Sequence, residues 1–246
     1  MEREPSQPRD LYKLLYPIAR TALNFKFNRY VQGEENILDE PAIYAANHIL
    51  AADSLLVSTA YTEETGRPLR FAVKQGYLDG TGVDDKGKYG KSARFLMKHT
   101  LQVPVKPEGG DRAAQLAFEE GVRRTLERGD SFAIHPEGTR STDGRLHKFK
   151  AGVARLAIAN NVPIVPVGLV YDMHTNTRKI DVEILFGQPF MPDELHRLPY
   201  TAIPGLKYKA DHVTQVIENR VADLTNMDQT GAFAVLRKFR HLNEHE

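Results

Sequence analysis

The chain has 246 residues, 41% of them hydrophobic, which suffices for one large domain with an apolar core. Its 33 basic residues are balanced by 32 acidic ones, so no global positive charge indicates nucleic-acid binding. Cysteine is absent, which excludes disulfides, thiolate nucleophiles and cysteine-ligated zinc. No stretch of roughly 18 apolar residues runs without a charge, and no secretory signal opens the chain, so we expect neither a transmembrane helix nor secretion.

The N-terminal part divides into a tail and a basic segment. Residues 1–10 are predicted to be a disordered tail. Residues 11–32 are aromatic-rich and lack acidic residues, and they predict an amphipathic helical segment, in which Pro17 leaves room for two short helices. This segment suits a peripheral anchor on an anionic membrane surface; the alternative is a helix packed on its own domain with a solvated basic edge. The cations assigned to the membrane surface are Lys13, Arg20, Lys26 and Arg29.

From residue 41 onward, short apolar runs alternate with helical periods. Strands are predicted over 41–47, 69–75, 101–106, 131–135, 162–170 and 179–187, the last at a sheet edge. Helices are predicted over 53–64, 92–100, 111–130, 151–161 and from about 207, with a glycine- and charge-rich loop over 77–92. The predicted fold class is α/β, a mostly parallel sheet flanked by helices on both faces in a single domain over 33–246. In such sheets, ligands bind beyond the carboxyl ends of the strands.

A histidine and an aspartate follow the first of these strands. His48 and Asp53 would lie about 140° apart on a continuous helix. They can meet if His48 lies in the loop after the strand and Asp53 begins the next helix. A carboxylate on one imidazole nitrogen makes the other nitrogen a better base, able to take a proton from a hydroxyl. From this pair alone, the alternative is a capping or core histidine.

A second polar cluster, residues 132–141, also follows a predicted strand directly. Its sequence is FAIHPEGTRS, in which Pro136 sets a turn and Gly138 permits close approach of the backbone to a ligand. Thr139 supplies a hydroxyl, and Arg140 a fork of donors matched to phosphate or carboxylate. The alternative is an ordinary strand-to-loop turn with a surface salt bridge.

Together the two clusters resemble the glycerolipid acyltransferase family, and look like its bacterial 1-acyl-glycerol-3-phosphate acyltransferase branch. The resemblance rests on Asn47-His48-x4-Asp53-Ser54 and on Pro136-Glu137-Gly138-Thr139-Arg140-Ser141. FKAGVARLA (149–157) and VPIVPVGL (162–169) are similar to the following blocks, so the likeness runs from about residue 33 to 192. Two positions depart from the family pattern: Lys106 stands where an arginine is usual, and His135 where a phenylalanine is usual.

The resemblance implies acyl transfer from a thioester on coenzyme A or acyl carrier protein to the hydroxyl of lysophosphatidic acid or a similar lysolipid. His48 would be the base and Asp53 its orienting carboxylate, with no metal and no further cofactor. The residues implied to hold the acceptor phosphate are Lys106, Glu137, Gly138, Thr139 and Arg140. Asn47 or a backbone N–H near Gly138 would support the oxyanion. The implied acyl-binding wall is Pro163, Ile164, Val165 and Pro166. Because the implied acceptor and product are both lipids, the resemblance favours a cytoplasmic protein attached peripherally to the inner face of the membrane.

Other functions fit the sequence less well. GVDDKGKY and DKGKYGKS approach a phosphate-binding loop, but Tyr89 replaces the Mg²⁺-ligating Ser or Thr in the first, and Asp85 replaces the first glycine in the second. A thioesterase would use the same base with water. No Gly-x-Ser-x-Gly elbow is present, although direct hydrolysis stays open. A lipid-binding module without turnover is the remaining alternative, and a His48 ring turned away from Asp53 would favour it.

Overall fold

The structure, a computed structural model, describes residues 11–79, 83–84, 87–88, 95, 97, 99–106, 111–172, 178–197 and 206–233. The predicted tail at 1–10 and most of the predicted loop at 77–92 lie outside these residues. The helices are α1 (Tyr12–Lys26), α2 (Asp53–Thr65), α3 (Gln75–Asp79), α4 (Arg112–Glu127), α5 (Gly152–Asn160) and α6 (Leu206–Thr225). The strands are β1 (Phe27–Gln32), β2 (Ile43–Ala46), β3 (Leu69–Lys74), β4 (Val83–Asp84), β5 (Gly87–Lys88), β6 (Val103–Val105), β7 (Ser131–Ile134), β8 (Ile164–Asp172) and β9 (Ile180–Phe186).

Seven strands form one sheet in the order β1-β9-β8-β2-β7-β3-β6. Five of them, from β8 to β6, run parallel, whereas β9 is antiparallel to β8 and parallel to β1. The predicted α/β class with a mostly parallel sheet is confirmed. Ala45 of β2 pairs with Ile134 of β7, so the two strands end at the same edge of the sheet. The chain segments that follow them therefore emerge side by side.

The sheet buries an apolar core on each face. Along β2, Ile43 and Ala45 belong to one core and Tyr44 and Ala46 to the other, because successive strand residues point to opposite sides. The first core packs against α4, α5 and α6, and the second against α1 and α2. Burial on both faces explains why β2 and β8 are continuous apolar runs in the sequence rather than alternating ones.

The predicted helical segment 11–32 is wrong for its last six residues. The helix ends at Lys26, and residues 27–32 form β1, which pairs with β9 from Phe27↔Ile180 to Gln32↔Leu185. Aromatic and β-branched residues in FNRYVQ suit a half-buried strand, and Phe27 packs in the second core. Consequently β9 is not the edge strand that the sequence predicts, and the domain includes residues before 33.

Helix α1 packs on α2 through its inner face. The Tyr12 hydroxyl lies 2.9 Å from Thr62 Oγ1. Glu63 of α2 pairs with Arg20 (N–O 2.5 Å) and with Arg29 of β1 (2.7 Å). The interpretation of the N-terminal helix as packed on its own domain therefore holds for this face. Among the described residues, no helix combines the length and the apolarity that crossing a bilayer requires.

Candidate active site

The carboxyl ends of β2 and β7 bring the two sequence clusters together. His48 lies in the loop after β2 and Asp53 is the first residue of α2; His48 Nδ1 is 2.8 Å from Asp53 Oδ2. The same carboxylate oxygen accepts the backbone N–H groups of Ile49 (2.6 Å) and Leu50 (2.9 Å). The turn between strand and helix is thus built around the carboxylate. Because His48 Nδ1 faces Asp53, the ring's Nε2 is the nitrogen left to act as a base.

Asp53 is fully buried, and donors surround its charge. The hydroxyl of Tyr171, near the end of β8, donates to Asp53 Oδ1. Burial by itself raises the pKa of the Asp53 carboxyl, but the hydrogen bonds from His48 and Tyr171 hold that pKa below its ordinary value. An ionised Asp53 at neutral pH is what an orienting carboxylate requires. Sequence reasoning missed Tyr171 because only the neighbouring positions of β2 and β8 in the sheet bring it here.

Glu137 links the two clusters instead of facing a ligand. Its residue is only 1% exposed, its Oε1 accepts the backbone N–H of His48 (2.7 Å), and its Oε2 accepts that of His147 (3.1 Å). Burial raises the pKa of Glu137 to about 7. Both carboxyl oxygens thus accept hydrogen bonds from backbone N–H groups of this chain. The assignment of Glu137 to the acceptor is therefore wrong.

The predicted oxyanion donors are also engaged within the protein. The side chain of Asn47 is fully buried; it donates to the Leu169 carbonyl (3.0 Å) and accepts the Leu169 N–H (2.7 Å). These two bonds fix the end of β2 to β8. The Gly138 N–H donates to the His135 carbonyl at 3.0 Å. The Asn47 side chain therefore does not face an oxyanion, and its assignment is corrected. The N–H of Gly138 itself is engaged, and the expectation of a backbone N–H near Gly138 stays a prediction.

A second imidazole lies flat against His48. The ring centroids of His48 and His135 are 4.1 Å apart and the ring planes differ by 6°. His135 Nδ1 lies 3.1 Å from the Ala46 carbonyl and 3.0 Å from the Asn47 carbonyl, while its Nε2 is 3.0 Å from Ser54 Oγ. Burial, followed by the neighbouring His48, lowers the pKa of His135 to about 3, so this ring is neutral at physiological pH.

His48 opens onto a cavity of about 1200 Å³. The turn after β7 lies beside His48, because the Ser141 N–H donates to the His48 carbonyl at 2.7 Å. The predicted acceptor residues that line this cavity are Lys106, Gly138, Thr139 and Arg140. Gly138 has φ +76°, and a Cβ there would lie 2.6 Å from Lys150 Nζ, so Lys150 places a further cation at the turn. Within the described residues, no group of three His, Asp or Glu side chains is placed to hold a metal ion.

The apolar lining of the cavity differs from the predicted acyl-binding wall. Pro163, Ile164, Val165 and Pro166 do not line it; Ile164 and Val165 are buried in the two cores on either side of β8. The reason is that β8 is a central strand, covered by helices on both faces. The apolar lining comes from α1, α2, α4, α5 and the sheet, and includes Leu15, Ala19, Leu55, Phe71, Val105, Leu116, Phe118, Ile134 and Leu156.

The four cations assigned to a membrane surface fall into two pairs. Arg20 and Arg29 both bind Glu63 and hold α1 and β1 to α2. Lys13 and Lys26 are exposed on α1, and Lys26 Nζ lies 5.5 Å from the centroid of the Phe27 ring. The Arg29 side chain is 9% exposed and is therefore a poor candidate for contact with lipid, whereas among the described residues the two lysines carry no such ion pair to Glu63 and Arg20 keeps 52% of its side chain exposed.

Comparison with known proteins identifies a family model and relatives that match large parts of the chain. The family model described as Acyltransferase matches residues 28–170. The 1-acyl-sn-glycerol-3-phosphate acyltransferase BAT2 of Brassica napus chloroplasts is 27% identical over 206 residues, which cover 80% of this chain and 51% of that protein. A probable 1-acyl-sn-glycerol-3-phosphate acyltransferase of Mycoplasma pneumoniae is 23% identical over 205 residues, covering 78% of this chain and 73% of that one.

A solved structure shares the fold. The crystal structure of the 1-acyl-sn-glycerophosphate acyltransferase PlsC from Thermotoga maritima matches with a TM-score of 0.56 at 20% identity, over 87% of this chain and 79% of that chain. With the Limnanthes douglasii 1-acyl-sn-glycerol-3-phosphate acyltransferase, which is 40% identical over 70 residues, the match covers 25% of that protein. The chain thus spans a quarter to a half of the length of such plant relatives. Because the family model covers more than half of the chain, including both polar clusters, the protein belongs to the acyltransferase family.

Proposed function

We propose that the protein transfers a fatty acyl group from a thioester donor to the free hydroxyl of lysophosphatidic acid or a similar lysolipid, giving phosphatidic acid or the corresponding phospholipid. The observation that carries this proposal is the His48–Asp53 contact of 2.8 Å at the wall of a cavity with apolar and cationic lining. The names of the Brassica napus and Mycoplasma pneumoniae relatives support the choice of acceptor.

The proposed reaction is direct attack of the acceptor hydroxyl on the thioester. His48 Nε2 takes the hydroxyl proton as the oxygen bonds to the thioester carbonyl carbon. The tetrahedral intermediate then expels the thiolate, which takes that proton from the imidazolium, so that an ester and a free thiol result. Asp53 stabilises the imidazolium in between. A base of this kind contributes about 10²- to 10⁴-fold in rate.

The acceptor phosphate is assigned to the cationic side of the cavity. Arg140 and Lys106 both line it, and Lys150 Nζ lies over Gly138. The guanidinium of Arg140 can bind two phosphate oxygens at once, whereas a lysine acts as a point charge. Thr139 lines the same wall, and we assign its hydroxyl and its backbone N–H, the one next to Gly138, to the oxyanion in place of the Asn47 side chain.

The acyl chain is assigned to the apolar lining between α1, α2 and α4. Each of these three helices contributes an apolar side chain to the cavity wall, for example Leu15, Leu55 and Phe118. A thioester carried by coenzyme A or by acyl carrier protein delivers the same acyl group, and the proposal includes both donors.

The outer face of α1 is proposed to rest on the anionic cytoplasmic face of a membrane. Leu14, Ile18 and Phe25 are 68%, 65% and 79% exposed, and at 100° per residue they fall within about 40° of one another. Lys13 and Lys26 flank this stripe, as cations do on helices that lie in a lipid interface. An acceptor and a product that are both lipids require such proximity.

The decisive experiment offers purified protein a panel of lysolipids with acyl-coenzyme A and with acyl carrier protein, and identifies the products by mass. His48→Ala should abolish product formation, while His212→Ala, an exposed histidine of α6, serves as the matched control with unchanged turnover. Fatty acid released without an acceptor would indicate a thioesterase. Lipid binding with no turnover would indicate a non-catalytic module. Normal turnover by His48→Ala would refute the proposed base.

A further inference from the structure

His135 makes polar contacts that the phenylalanine usual at this position in the family could not make. Its Nδ1 is within 3.1 Å of the Ala46 carbonyl and within 3.0 Å of the Asn47 carbonyl. Carbonyl oxygens only accept, so Nδ1 carries the ring proton. Nε2 is then the acceptor for the Ser54 hydroxyl at 3.0 Å. Both ring nitrogens of His135 are therefore engaged in hydrogen bonds.

These contacts reach both ends of the segment that carries the proposed base. Ala46 and Asn47 immediately precede His48, and Ser54 immediately follows Asp53. A single side chain from the end of β7 thus holds the two flanks of the His-x4-Asp segment at a fixed separation. Asp53 does not do this, because among the described residues its carboxylate binds groups within the segment and Tyr171.

The stacked rings supply a second restraint. Asp53 fixes the position of one nitrogen of His48 but leaves the ring free to tilt about that hydrogen bond. The parallel face of His135, 4.1 Å away with a 6° angle between planes, restricts this tilt. Phe71 backs His135 from β3, with centroids 5.2 Å apart. The neutral state of His135 leaves no charge to repel the imidazolium that forms on His48.

We propose that His135 is a positioning residue for acyl transfer, which clamps both ends of the His48–Asp53 segment and holds the ring plane of His48 so that Nε2 meets the acceptor hydroxyl. This inference rests on the proposed function of His48 as the base. It adds a role for the one residue of the second cluster that departs from the family pattern.

Two substitutions separate the two restraints. His135→Phe keeps the aromatic face and loses the hydrogen bonds, and His135→Leu loses both. We expect kcat to fall about 3- to 10-fold in His135→Phe and about 100-fold in His135→Leu, since misplacement of a reacting group by about 1 Å costs on that order. The KM values for donor and acceptor should stay within about twofold, because positioning of the base acts in the transition state. Melting temperatures are measured alongside.

A double-mutant cycle tests the hydrogen-bonded clamp separately. Ser54→Ala should lower kcat in the wild-type background and have no further effect in His135→Phe, because both changes break the same contact. Strictly additive effects, a wild-type kcat in His135→Leu, or rises in KM with kcat unchanged would overturn the proposal. If His135→Leu does not fold, the cycle alone decides. Activity in His48→Ala would instead refute the proposed base. Failure of the role of His135 and failure of the proposed function of His48 can therefore be told apart.

Discussion

The buried cluster around His48 and the cationic side of the same cavity are built in opposite ways. In the cluster, Asp53 and Glu137 are 0% and 1% exposed, and each accepts hydrogen bonds from two or more groups of the chain. On the cationic side, the Lys106 side chain is 45% exposed, and its Nζ lies 4.0 Å from a carboxylate oxygen of Asp111. Under the proposed function, the folded chain holds the base in place before any ligand binds, whereas the lysine assigned to the acceptor phosphate is open to solvent. Changes in the two regions should therefore affect different kinetic constants.

The largest effect is expected from Asp53→Asn in the cluster. An amide cannot accept from His48 and from the Ile49 and Leu50 N–H groups while keeping its own donors satisfied, and it does not stabilise an imidazolium. We expect kcat to fall by about 10³- to 10⁴-fold, as for removal of the carboxylate from other histidine bases. Steady-state kinetics check this, with circular dichroism as the control for folding. A kcat within tenfold of wild type would contradict the role of Asp53.

A smaller effect of another kind is expected from Arg140→Ala on the cationic side. Loss of the guanidinium should raise the KM for a phosphate-bearing acceptor about 30-fold, leave the donor KM unchanged, and alter kcat by no more than a few-fold. Arg140→Lys is the matched variant and should recover part of the affinity. The measurement compares lysophosphatidic acid with a phosphate-free monoacylglycerol. Equal use of both acceptors by the wild-type protein would contradict the assignment of Arg140.

The smallest effect is expected on the outer face of α1, which contacts neither region. Ile18→Ser with Phe25→Ser should weaken sedimentation with anionic vesicles about tenfold, by loss of apolar area available to the lipid. Turnover of a short-chain acceptor in solution should stay the same. Thr21→Ser, a small change on the same face, is the control. Unchanged vesicle binding in the double variant would remove α1 as the attachment site.

The sequence predicts the fold class and the meeting of the two clusters, because both follow apolar runs and parallel strands end at a common edge. It cannot predict which polar side chains turn inward. Glu137 accepts a hydrogen bond from the backbone N–H of His147, and Asn47 accepts one from that of Leu169. These partners come close only when the chain folds. The sequence also does not predict the strand at 27–32. A short aromatic stretch directly after a helix reads as a continuation of that helix, and only its pairing with β9 makes it a strand.

The position of helix α1 affects the cavity as well as the proposed contact with the membrane. Tyr12, Tyr16 and Ala19 on its inner face line the cavity, while Leu14, Ile18 and Phe25 point outward. Under the proposed function, this single 15-residue helix separates the acyl-binding cavity from the membrane, so a shift of the helix axis changes both sides together. Fatty-chain selectivity measured in detergent micelles should accordingly not be transferred to bilayers without repeating the measurement.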